Sequence, residues 1–245
     1  MPLHFVVDEP LDADTGQTVT LTGAEAHHAA TVRRVRVGET VTLGDGAGVW
    51  LEGACELVAA REVLVRVTNR EEVPRPSVRI ELVQALAKGD RDELAVQAST
   101  ELGVDVITPW QAARSVSRWD AAKREKGVTR WRQIAREAGK QAHRAWLPEV
   151  GGPLTTAQLC ERAAATRMLV LEPTAALRLS EWTPDPTDCR DIAIVVGPEG
   201  GIDAGELTSL EAAGATLVRL GEHVLRTSTA GPAAIAVLSS TLGRW

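Results

Sequence analysis

Two glycine-bearing segments near the C-terminal end hold residue types from which a backbone-lined ligand site can be built. The first is Val195-Val196-Gly197-Pro198-Glu199-Gly200-Gly201, followed by Ile202 and Glu206. The second is Leu220-Gly221-Glu222-His223-Val224-Leu225-Arg226-Thr227-Ser228-Thr229-Ala230. Each follows a short apolar run and precedes a helix-like stretch. Gly197, Gly200 and Gly201 can adopt positive φ and let a ligand approach peptide N–H and C=O groups closely. Neither a Gly-Lys-Ser/Thr ending nor G-x-G-x-x-G is present, which argues against a nucleotide-phosphate loop. Glu199 is the best acid on these loops and the candidate proton acceptor. Arg226 offers a rigid fork to a phosphate, a base or a developing anion. Its plainer use is to pair with a surface acid.

A second chemistry is suggested by charge. The net charge is −6, which argues weakly against a nucleic-acid partner. Residues 114–146 nevertheless hold ten Lys/Arg against three Asp/Glu, interleaved with Trp119, Trp131 and Trp146. Arg33, Arg34 and Arg36 form a shorter basic cluster within an acidic first 72 residues. Local basic segments in an acidic chain can still make a footprint for phosphate, and arginine with tryptophan can stack exposed bases. The plain alternative is a solvated helix with Trp131 in the core. His27 and His28 have no Cys or acid at ligand spacing, and the three cysteines are far apart. Neither a metal site nor a disulfide framework is expected. The chain has no uninterrupted apolar stretch of membrane-spanning length, and Met1–Phe5 does not read as a secretory leader. Reduced thiols and a cytoplasmic location are expected.

The elements that must position these residues fall into two patterns. Up to residue 72, alternation and Gly/Asp punctuation predict strands at Thr18–Leu21, Thr40–Leu43, Val49–Leu57 and Glu62–Thr68, with a helix around Ala24–Val32: a small β-barrel. Glu71–Pro76, with two prolines, reads as a linker. Beyond it, strands at Val78–Ala85, Val104–Thr108, Met168–Leu171, Ile192–Val196 and Thr216–Leu220 alternate with helical stretches, which predicts a parallel sheet covered on both faces. Asp90 is a candidate cap for a helix whose inward face is Leu94, Ala98 and Leu102, with Gly103 ending it. Lys123–Ala142 is predicted helical. The last helix is expected over Ala230–Leu242, with Pro232 in its first turn. In such sheets ligands sit beyond the carboxyl ends of the strands, where both glycine segments lie.

Four segments resemble the RsmE family of 16S ribosomal RNA methyltransferases, within the SPOUT superfamily. Gly23–His28 through Val32–Gly38 resembles the family's PUA-like RNA-binding module. Ala87-Lys88-Gly89-Asp90 with Thr100–Val104 and Ile107-Thr108-Pro109 resembles the entry to its catalytic domain. Arg114-Ser115, Trp131, Glu137-Ala138, Gln141 and Arg144 resemble its middle, and the two glycine loops its S-adenosylmethionine (SAM) site. The family often has Arg, Glu and Lys where His223, Ser228 and Ala98 stand here.

The resemblance implies a PUA-like barrel over residues 1–72 and a trefoil-knotted parallel-sheet SAM domain over 73–245. It implies methylation of uridine N3 in small-subunit rRNA by a cytoplasmic homodimer, with SAM as cofactor and no metal or membrane partner. Cofactor residues carried over are Leu171, Glu172, Gly197, Pro198, Glu199, Gly200, Gly201, Leu220, Gly221, His223, Val224, Leu225 and Thr227. Arg226 and Glu199 carry over to catalysis, and Arg33, Arg34, Arg36, Arg114 and Arg144 to RNA. Two other readings fit the same residues: a SPOUT enzyme acting on another RNA, and a non-catalytic RNA-binding or ribosome-assembly protein.

Overall fold

The computed structural model describes residues 2–245. The chain forms two compact units: one contains the residues up to Arg75 together with Gly139–Leu147, the other Pro76–Ala138 and Pro148–Trp245.

In the first unit, strand β1 (Leu3–Val6) is followed by β2 (Thr18–Leu21) and helix α1 (Gly23–His27), which runs into a π-helical turn at His28–Val32. Strands β3 (Thr40–Gly44), β4 (Val49–Ala59) and β5 (Glu62–Glu72) complete it. They form one sheet ordered β1-β3-β4-β5-β2, with β1 parallel to β3 and the other ladders antiparallel. Alternate side chains, such as Val63, Val65 and Val67 of β5, turn inward onto Phe5, Leu21, Leu43 and Leu51. The sequence reading missed β1. It also placed Glu71 and Glu72 in the linker, whereas they pair with Trp50 and Val49. A long partner strand with open ladder positions outweighs the poor strand propensity of two glutamates.

The second unit alternates strands and helices in chain order: β6 (Ile80–Ala85), α2 (Arg91–Glu101), β7 (Val106–Trp110), α3 (Ala121–Gln141), β8 (Glu149–Val150) and α4 (Thr156–Ala163). Next come β9 (Arg167–Leu171), a 3-10 turn at Leu179–Glu181, β10 (Ile192–Val196), α5 (Ala204–Ala212), β11 (Thr216–Val218) and α6 (Thr227–Thr241). The sheet is ordered β11-β9-β10-β6-β7-β8, and its ladders are parallel. Successive strand residues point to opposite faces, so a sheet covered on both sides needs apolar residues at every position. β10 does this. Ile192, Ile194 and Val196 join one core with Val96 of α2, Trp131 of α3 and Ile235 of α6. Ala193 and Val195 join the other core with Leu159 of α4 and Leu210 of α5. The α/β architecture expected from the alternation is present. No helix among the described residues is long and apolar enough to cross a membrane.

Two helix details differ from expectation. Asp90 does not cap α2 through its side chain. Asp92 is turned inward and accepts a hydrogen bond from the Ala87 N–H (3.1 Å), so the buried face is Asp92, Ala95, Val96, Ser99 and Thr100, and Leu94 is 48% exposed. Gly103 does end the helix region, at φ +94°. Helix α6 starts at Thr227, three residues earlier than expected, so Pro232 lies inside it.

Candidate cofactor cleft

The carboxyl ends of β9, β10 and β11 open into a cleft of about 410 Å³. The loop after β9 contributes Leu171, Glu172 and Pro173. The loop after β10 contributes Val196, Gly197, Pro198, Glu199, Gly201 and Ile202. Val218, Leu220, Gly221 and His223–Thr227 supply the third wall. Clefts of a few hundred Å³, mostly apolar with a few placed polar groups, suit small-molecule ligands. Of the thirteen cofactor positions carried over from the sequence, the structure brings twelve to this cleft. Gly200 is the exception. A Cβ there would point at Arg114, 3.5 Å from its Cβ.

Local chemistry explains why the walls hold their shape. At Gly197 a Cβ would lie 2.6 Å from Ile202 Cγ1, so only glycine permits the loop to double back on itself. Gly201 turns the chain at φ +72°. Asp203 then caps α5, accepting from the Gly205 N–H at 2.9 Å, and Glu206 closes a capping box. Glu206 is buried and also accepts from Thr156 Oγ1 (2.5 Å) and the Ala113 N–H (2.9 Å). The β9 loop is pinned to the end of β11, where the Glu172 N–H donates to Val218 (2.9 Å) and the Arg219 guanidinium donates to the carbonyls of Ala175 and Ala176.

Beneath the cleft lies a buried relay that the sequence reading missed. Gln84 Nε2, at the end of β6, donates to Thr227 Oγ1 at 2.8 Å, and Thr227 Oγ1 donates to the Gly197 carbonyl at 2.9 Å. One amide thus ties the start of α6 to the first glycine loop. Arg91 was missed as well. It lines the cleft and pairs with Glu199 at 2.7 Å. A signal existed in Lys88-Gly89-Asp90-Arg91, a turn at the carboxyl end of a strand. Burial pushes the Glu199 carboxyl up, but hydrogen bonds from its own N–H, the Lys88 N–H and Arg91 more than offset this and leave it below its usual value. A carboxylate held this way is a weak base, so Glu199 is better placed to order its loop than to take a proton. Arg226 occupies the N-cap position of α6 at the exposed rim.

None of the positions carried over to RNA binding is among the residues that line this cleft. Arg33, Arg34 and Arg36 are exposed around the end of the π-helical turn. Arg114 donates to Asp203 (3.1 Å) and to the Gly200 carbonyl (3.3 Å). The Arg144 N–H closes the end of α3 by donating to Gly139. No group of three or more His, Cys, Asp or Glu that could hold a metal occurs among the described residues.

Comparison with known proteins agrees with this architecture. Residues 74–239 match the RNA methyltransferase domain family, and residues 21–67 match the RNA methyltransferase PUA domain family. Ribosomal RNA small subunit methyltransferase E of Mycobacterium bovis is 42% identical over 237 residues, spanning 95% of this chain and 90% of the relative. A Legionella pneumophila protein solved in complex with the bound cofactor SAM superposes with a TM-score of 0.85 at 31% identity, over 98% of each chain. The ribosomal RNA small subunit methyltransferase E of Neisseria gonorrhoeae, bound to S-adenosyl methionine, gives 0.85 at 29% identity over 98% of each. With its methyltransferase and PUA segments both matched and its relatives aligned nearly end to end, this chain belongs to the ribosomal RNA small subunit methyltransferase E family.

Proposed function

We propose that the protein transfers a methyl group from SAM to N3 of one uridine in 16S rRNA of the small ribosomal subunit. The observation that carries this reading is the cleft at the ends of β9, β10 and β11, whose counterpart fold is solved with SAM bound in relatives sharing 31% and 29% identity. The lining fits the cofactor. Leu171, Val218, Leu220 and Leu225 offer an apolar slot for an adenine, and the glycines let its polar atoms approach the loop backbone closely. When bound, SAM supplies an electrophilic methyl group on a sulfonium.

The remaining work falls to the chain's own residues. Uridine N3 carries a proton at neutral pH and must lose or share it before it can attack. Arg226, at the rim and at the positive end of α6, is placed to stabilise the anion that develops on the uracil. Glu199 keeps the first glycine loop ordered through Arg91 and Lys88. Thr227 and Gln84 fix the geometry between the loop and Arg226. Correct placement of base against methyl supplies much of the acceleration in such displacements.

In the same reading, the first unit, whose strands lie within residues 1–72, forms the RNA-binding module and the second, drawn from residues 73–245, the knotted catalytic domain of a homodimer working on rRNA in the cytoplasm. The deciding experiment is mass spectrometry of small-subunit rRNA from cells lacking and regaining the gene. A 3-methyluridine should disappear and return. An unchanged modification profile would remove the proposal.

A further inference from the structure

A second cleft, about 120 Å³ in volume, lies wholly within the first unit. Its walls include His4, His28, Arg33, Lys140, Gln141 and His143. These come from β1, from the region of the π-helical turn and from the end of α3 with its following turn. The two basic stretches singled out in the sequence thus meet at one opening.

The charges of that opening can be assigned one by one. The Lys140 side chain is 3% exposed, with Nζ 2.7 Å from both Glu25 oxygens and 3.0 Å from His28 Nδ1. Its charge is balanced and its donors are engaged. Burial holds His4 neutral, with its pKa lowered to about 3, and burial also lowers that of His143. Arg33 is exposed and makes no ion pair among the described residues. Arg33 therefore offers a cation beside hydrogen-bonding groups.

The backbone adds an independent observation. Among the described residues, Arg34 (φ +56°) and His143 (φ +53°) are the two non-glycine residues in the left-handed region. Both belong to the segments that build this cleft. The His143 N–H donates to Lys140 (3.2 Å) and the Arg144 N–H to Gly139 (2.9 Å), the paired bonds of a Schellman turn. Glycine fills that position at least cost. A histidine there holds an imidazole at the cleft at the expense of backbone ease, a pattern that accompanies functional positions.

We propose that this cleft receives one backbone phosphate of the RNA substrate, with Arg33 supplying the charge and Gln141 and His143 acting as neutral donors at its rim. The proposal rests on the RNA-methyltransferase reading. An arginine beside hydrogen-bond donors suits a phosphate, and such a contact fixes register and adds affinity without reading sequence.

The test uses the full-length protein and a transcript of small-subunit rRNA, with SAM affinity measured in parallel by calorimetry. Arg33→Ala should weaken RNA binding and flatten the log–log salt dependence by about 0.7–0.9, the signature of one lost phosphate contact. His143→Gly should leave the melting temperature equal or higher, because glycine suits φ +53°, while RNA affinity falls roughly three- to tenfold, the size of one lost hydrogen bond. SAM affinity should be unchanged in both variants. Wild-type RNA affinity in His143→Gly, or an unchanged salt slope in Arg33→Ala, would overturn the proposal. So would an Arg33→Ala variant that loses inorganic phosphate binding but keeps its RNA affinity, which would mark a free-anion site. If the wild type bound RNA with this Arg33 dependence but bound no SAM, the enzyme reading would fall and the docking site would stand.

Discussion

At the scale of single residues, the cleft turns on atoms whose neighbours are crowded. Gly197→Val forces a branched side chain onto Ile202, whose Cγ1 would be 2.6 Å from the new Cβ. It should abolish SAM binding by calorimetry and cost about 1–3 kcal/mol in urea denaturation. Gly200→Ala meets only the side of Arg114 and should bind SAM like the wild type. Of the three glycines in the first loop, Gly197 is the one whose replacement is expected to matter most. Spacing shows that a loop contains glycines, but which one faces the ligand depends on how Ile202 folds back. Arg226→Ala should lower single-turnover methylation by about 10²–10³ while RNA affinity changes little, as for loss of one donor to a developing anion. Equal losses in rate and RNA affinity would reassign Arg226 to phosphate anchoring. His4 governs a pH effect. It is 5% exposed, and burial lowers its pKa to about 3 in the folded chain against 6.5 unfolded. The unfolded state binds the extra proton, so this stability is complete above pH 6.5 and falls as pH drops toward 3, by at most about 1.4 kcal/mol per pH unit. Urea midpoints at pH 7 and pH 5 should show the loss, and His4→Phe should reduce it.

At the scale of elements, the sheet was legible and its attachments were not. β10 reads as an apolar run because both faces are covered, and run length alone marks such a strand. Asp203 and Glu206, three positions apart at the start of α5, also have the spacing of a capping box. What that pair could not announce is that Glu206 accepts from Ala113 and Thr156 as well, residues 93 and 50 positions away. Glu206→Ala removes a cap worth about 0.5–2 kcal/mol and leaves those donors without their acceptor, for a total loss of about 2–3 kcal/mol by chemical denaturation. A change below 0.5 kcal/mol would show that the three bonds do not act together. The inward face of α2 was misread for a related reason. Leu94, Ala98 and Leu102 have helical spacing, but a hydrogen bond from the Ala87 N–H draws Asp92 inward and turns Leu94 outward, while Leu102 still packs on the core. The start of α6 was misplaced because Thr227 looks like a loop residue until Gln84, a residue of a distant strand, is set beneath it.

At the scale of the whole molecule, exposed apolar residues bear on assembly. Val224 is 76% exposed beside the cleft, and Leu225 is also open to solvent. Apolar side chains at the mouth of a site suit a protein interface. Light scattering should give twice the 26.2 kDa chain mass, and Val224→Asp should shift it toward the monomer. A wild-type monomer at micromolar concentration would rule out the dimer. The sequence offered no hint that Gly139–Leu147 belongs with the N-terminal unit, since no composition shift marks either end of it. Yet Trp146 donates to the Val73 carbonyl at 2.8 Å, and Lys140 meets Glu25. That placement has a consequence for the order of events during synthesis. As the chain leaves the ribosome, the first 75 residues emerge without the segment that neutralises Glu25 and closes over Gly48. They must wait through more than sixty further residues before their own unit can be finished. The amino-terminal segment is thus not an autonomous cassette: transplanted to another protein without residues 139–147, it would arrive without the partner of Glu25 and with an open seam.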